Sequence, residues 1–100
     1  MSVAIIVRHR VQNYEAWRPL FEEHGTVRRQ YGGLGHQIDR VEGDPNDLVI
    51  VLTFRDLEGA RGFVADPSLA ETMQHAGVIS KPEIWFSDQV EVVEYPVAVG

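Results

Sequence analysis

A chain of 100 residues, 44% hydrophobic and without cysteine, makes one globular domain held by its core, with no disulfide, thiolate nucleophile or cysteine-zinc site. Its net charge of −6, with Lys81 the single lysine and Arg28-Arg29 the only adjacent basic pair, excludes a nucleic-acid surface, which needs clustered cations. No run reaches the roughly 18 apolar residues of a membrane span, and the apolar run at 3–7 is too short for a signal-peptide core, so a cytoplasmic protein is expected.

The first strand is predicted over 3–11. Val3-Ala4-Ile5-Ile6-Val7 shows no alternation of apolar and polar residues, the pattern of a strand covered on both faces. Asn13 then stands as an N-cap. The helix after it places Trp17, Leu20, Phe21, His24, Val27 and Tyr31 on one side at spacings of three and four, and Gly32-Gly33 ends it. A second strand is predicted over 34–42, and Gly43-Asp44-Pro45-Asn46-Asp47 turns into a third over 48–55. Leu48-Val49-Ile50-Val51-Leu52 is again apolar on both faces.

Asp56 caps a second helix that carries Leu57, Ala60, Phe63 and Val64 inward. Asp66-Pro67 breaks it ahead of a short continuation with Leu69, Ala70 and Met73. The last strand is predicted over 84–95. This order is that of an α+β, ferredoxin-like βαββαβ domain over 1–100, a four-stranded antiparallel sheet with helices on one face and its first and third strands central. Two helices cover one side only of so small a sheet. A homodimer through the exposed sheet face is therefore expected, with Ala4 and Ile6 buried there and Arg8 and Arg10 pairing with carboxylates such as Glu91 or Glu94.

Several motifs carry no chemistry. Gly33-Leu34-Gly35 follows a helix and opens a strand, the reverse of a dinucleotide-binding context. Asp44-Pro45-Asn46-Asp47 lacks the spaced ligands of a calcium loop. The serines sit in no nucleophile-elbow context. His36 and Asp39 point to opposite faces of a strand, and no metal site is expected.

The histidines and aromatics are the candidates. His24, on the apolar helix face, reads either as a general base towards a bound molecule or as a buried core histidine. His75, just before Gly77, reads as a pocket donor, an axial ligand or a cation at a helix C-terminus. His9 points towards the helices. Trp17, Phe21, Tyr31, Phe54 and Trp85 with His9 would line a site for a small aromatic ligand, or form plain core.

The chain resembles the dimeric α+β barrel superfamily, in particular the small antibiotic biosynthesis monooxygenase-like proteins. The resemblance rests on Asn13-Tyr14-Glu15-Ala16-Trp17 with Phe21-Glu22-Glu23-His24, on Asp44-Pro45-Asn46, on Phe54-Arg55-Asp56, and on Met73-Gln74-His75-Ala76-Gly77-Val78. It implies a homodimer with its two sheets face to face and a cleft between sheet and helices. Some such proteins oxidise polycyclic phenols to quinones without metal or organic cofactor; others degrade haem or cyclise polyketides. The haem-degrading branch uses an Asn on the first strand with a Trp and a His, and here the first strand has no Asn and only His75 matches. The resemblance thus implies a cofactor-independent monooxygenase or cyclase for an aromatic or polyketide-like molecule, with no cofactor, and the reading of the residues themselves offers His24 and His75 as its catalytic candidates. The alternative is a non-catalytic dimeric binding or stress-related protein.

Overall fold

The two uninterrupted apolar runs sit side by side at the centre of the sheet. The protein is described here from a computed structural model covering residues 2–98. In chain order its elements are β1 (Val3–Arg10), α1 (Tyr14–Glu23), α2 (Gly25–Gln30), β2 (Gly33–Arg40), β3 (Asp47–Phe54), α3 (Leu57–Ala65), α4 (Pro67–His75) and β4 (Glu83–Asp88). The strands form one antiparallel sheet in the order β2-β3-β1-β4, the expected ferredoxin-like arrangement with the first and third strands inside. A bulge between Gly33 and Gly35 interrupts the β2–β3 pairing.

The register fixes two faces. Val3, Ile5, Val7 and His9 stand opposite Phe54, Leu52, Ile50 and Leu48, and all eight are buried in the direction of the helices. Trp17 and Phe21 of α1 and Ala60 and Phe63 of α3 close this core. On the other face Ala4, Ile6 and Arg8 pair with Thr53, Val51 and Val49. Ile6, Val49 and Val51 are only half-buried there, as expected of a face that the helices do not cover. The arginines on it are already paired within the chain. Arg8 meets Asp47 at 3.0 Å and Arg10 meets Asp44 at 2.6 Å, rather than Glu91 or Glu94.

Local signals place the helices. The Asn13 side chain accepts from the Ala16 N–H at 3.0 Å, and Asp56 accepts from the Gly59 N–H at 2.7 Å, as expected of N-caps. The Asn46 side chain in the β2–β3 turn accepts from the Tyr14 N–H at 3.1 Å, tying α1 to the sheet. Gly32 turns with φ +87°, a conformation that glycine adopts without strain. The single helix expected between Asn13 and Gly32 is instead two. His24, with ψ −7°, closes α1, and Gly25 opens α2.

Three other expectations change. Leu57 and Ala70 are exposed rather than inward, one in the first turn of α3 and one on the outer side of α4. Val11 makes only an isolated bridge with Val78. The last strand stops at Asp88 and not at 95. Its partner β1 runs out there, since Val3 pairs with Asp88 and only the Ser2 carbonyl remains to accept from the Gln89 N–H. Residues 89–98 continue outside the sheet with Val90, Val92, Val93, Tyr95 and Val97 exposed.

Candidate functional site

The space between helices and sheet is a cavity of about 50 Å3. Ile5, Val7, Ile50 and Leu52 form its floor, Trp17, Phe21 and Phe63 its sides, and Leu69 and Met73 of α4 its roof. Its polar groups are few: His9, His24, Arg28 and Thr72. Outside it, between α1 and α4, lies an open groove of about 340 Å3 lined by Leu20, Glu23, Ser68, Glu71 and His75. His24 and Thr72 line both spaces.

His24 owes its place to the end of α1, one turn beyond Phe21 and Leu20. Its Nε2 lies 2.9 Å from Ser68 Oγ, and its ring packs 5.5 Å from that of Phe63. Burial lowers its pKa, and the Arg28 charge lowers it further, so the imidazole is neutral at neutral pH. Ser68 is held in turn. Its N–H donates to Asp66 Oδ1 at 2.8 Å, while the Tyr31 hydroxyl donates to Asp66 Oδ2 at 2.6 Å. These bonds stabilise the carboxylate and bring its pKa down to about 2. A continuous chain Tyr31–Asp66–Ser68–His24 therefore links α2, the first turn of α4 and the cavity mouth.

His9 lies deeper, on β1, with its ring edge towards Trp17 at a centroid distance of 5.9 Å. Its Nδ1 is buried without a hydrogen-bond partner among the described residues, and burial lowers its pKa. Such a group is available to a polar atom of a guest.

The candidates named from sequence separate into groups. His9, Trp17, Phe21 and His24 line the cavity. His75 lies in the outer groove with His24. Tyr31 is spent on Asp66, and Phe54 is core, packed at 5.5 Å against Phe63 and outside the cavity lining. Trp85 is on the opposite side of the sheet, because it pairs with Ile6, whose side chain faces away from the helices. Arg28 was not among the candidates. It is 8% exposed, and its guanidinium carbon stacks 3.9 Å from the centre of the Phe21 ring. Its spacing, four after His24 and seven after Phe21, was the signal that would have placed it on the inner face. Among the described residues no three His, Asp or Glu side chains converge as metal ligands do, and no helix is long and apolar enough to cross a membrane.

Comparison with protein-family models and with curated protein sequences finds no match. Solved structures do match. The cofactor-independent oxygenase SnoaB from Streptomyces nogalater superposes with a TM-score of 0.74 at 16% identity, over 94% of this chain and 98% of that one. Rv0793 from Mycobacterium tuberculosis gives a TM-score of 0.67 at 15% identity, over 94% of this chain and 100% of that one. An antibiotic biosynthesis monooxygenase gives 0.64 at 18% identity, over 89% of this chain and 99% of that one. The resemblance to antibiotic biosynthesis monooxygenase-like proteins therefore holds at the level of the fold, and fold does not by itself assign chemistry.

Proposed function

We propose that the protein admits a small phenolic molecule beneath α4 and oxidises it with dioxygen, without metal or organic cofactor. The observation that carries this reading is the position of His24, a neutral imidazole at the junction of an apolar cavity and an open groove. An imidazole so placed takes the phenolic proton as the guest enters. The apolar walls keep water from the resulting anion. Dioxygen adds to an activated methylene carbon of that anion, and the hydroperoxide loses water to leave a carbonyl. One oxygen atom ends in the product and the other in water, with the substrate supplying all the electrons. His75, in the same groove, is placed to hold the outer end of the guest. The fold shared with SnoaB, itself named a cofactor-independent oxygenase, is consistent with this chemistry.

The cavity of about 50 Å3 falls well short of the roughly 300 Å3 of a usual small-molecule site. A guest must therefore displace α4, which has no fully buried residue. The same small volume favours a second reading, a non-catalytic dimeric binding protein whose cavity is filled by its own side chains. Aerobic incubation with an anthrone, in buffer containing a chelator, separates the two. Quinone formation with matching oxygen uptake, lost in a folded His24→Ala variant, supports the oxygenase. Binding without turnover supports the second reading.

We also propose that a second copy covers the open sheet face. Ile6, Val49 and Val51 share it with Trp85, which is 48% exposed, and such a patch is typical of an interface core.

A further inference from the structure

We propose that the cleft between α2 and β2 is an oxyanion-binding site, built to take the carboxylate or phosphate group of a small molecule between Arg28 and Arg29. This cleft, about 230 Å3, lies on the other side of Arg28 from the core cavity and is also lined by Arg18, His36 and Thr53. In a chain whose net charge is −6, it gathers three arginines and a histidine around a single carboxylate. That carboxylate, Glu22, is taken up by Arg18 at 3.1 Å.

Arg28 and Arg29 have no such partner. No carboxylate lies within ion-pair distance of either among the described residues. Their guanidinium tips nonetheless converge on one spot. A Cβ added at Gly25 would lie 3.1 Å from Arg28 Nη2 and 3.3 Å from Arg29 Nη1. The missing side chain at Gly25 lets both tips approach the α2 backbone this closely, at the wall of the cleft. Two like charges aimed at the same place oppose each other unless an anion sits between them. Burial first, and then the neighbouring Arg29 and Arg18 charges, lower the Arg28 pKa to about 10.

The geometry also suits an oxyanion that presents two oxygens side by side, as carboxylate and phosphate both do. The Arg28 guanidinium carbon lies 3.9 Å from the centre of the Phe21 ring, and a guanidinium held over a ring by one face keeps its N–H edge for a forked pair of hydrogen bonds. The start of β2 holds the arrangement close, because Gly33 passes so near α2 that a Cβ there would lie 2.7 Å from the Arg28 carbonyl oxygen.

The test is titration of the full chain with inorganic phosphate and, separately, with benzoate at constant ionic strength, followed by amide NMR and calorimetry. Saturable binding is expected, with the Gly25, Arg29 and Gly35 amides shifting most. Arg28→Met and Arg29→Gln should each weaken it about tenfold or more, the worth of one charge-assisted pair. Arg61→Gln, on the exposed side of α3, should leave it unchanged. Stronger binding of benzoate identifies a carboxylate on an aromatic body, and stronger binding of phosphate identifies a phosphate monoester. Absence of saturable binding by either probe overturns the proposal. So does wild-type binding in Arg29→Gln, which alters an exposed side chain and decides the matter alone if Arg28→Met fails to fold.

Discussion

Ser68 Oγ sits 2.9 Å from His24 Nε2, and this contact joins the break between α1 and α2 to the first turn of α4. α4 has no fully buried side chain, and its other ties are the Tyr31–Asp66 hydrogen bond at its N-cap and the packing of Leu69 and Met73 over the cavity. Ser68→Ala should therefore lower global stability by only about 1 kcal/mol. It should speed amide exchange across 67–75 more than elsewhere. Unchanged exchange in α4 would mean that its anchoring lies in Leu69 and Met73 instead.

Acid should destabilise the protein from about pH 6.5 downward. His9, His24 and His36 all have pKa values lowered by burial, and the Arg28 charge adds to the effect at the latter two. In the window between those lowered values and about 6.5 the unfolded chain binds more protons than the folded one, so stability rises with pH and falls as pH drops. Asp66 acts at lower pH. Its contribution is complete above the ordinary carboxylate range and is lost as pH falls through about 2. Urea melts between about pH 5 and about pH 8 should show the first slope, and His9→Leu should flatten it.

The cavity walls should respond unequally to truncation. Phe63 is buried against Phe54, Tyr31 and His24, so Phe63→Ala should cost about 3–5 kcal/mol. Met73 roofs the cavity but is half-buried, and Met73→Ala should cost about 2 kcal/mol or less. Under the oxygenase reading the enlarged cavity should also bind 1-naphthol more tightly, as calorimetry would register. Weaker binding would place the guest elsewhere.

Ile6→Asp tests the proposed pairing of copies. A carboxylate at the centre of the open sheet face, opposite Val51 and beside Trp85, should yield monomers in light scattering, with the helix signal retained. A well-folded dimer would show that the copies meet by another surface.

Much of this architecture was legible from residue pattern. The two apolar runs identified the central strands because only a strand covered on both sides tolerates them. Asn13, Asp56 and Asp66-Pro67 marked helix starts because their side-chain chemistry acts within three residues. What escaped depends on relations between distant segments. The last strand ends at Asp88 because β1 begins at Val3, and no local pattern in Val90–Val97 announces that limit. Trp85 lies away from the cavity for the same reason, since its side is set by pairing with Ile6. Arg28 was obscured by its charge: a guanidinium reads as a surface group until an aromatic face such as Phe21 is found beneath it. His24 was legible as an inward residue, whereas its partner Ser68, 44 positions away, was not.

The two margins of the sheet are unlike. β2 is interrupted by a bulge and carries His36, Gln37, Asp39 and Arg40, the features that discourage a foreign strand from annealing. β4 offers a short outer rim with Trp85 and Phe86 exposed. Any strand that anneals to β4 uses up the only receptive rim, and β2 provides no second place for growth. Edge-to-edge pairing of whole sheets is thereby confined to a single β4–β4 contact, and the exposed valines beyond Asp88 belong to a chain with one receptive margin rather than two.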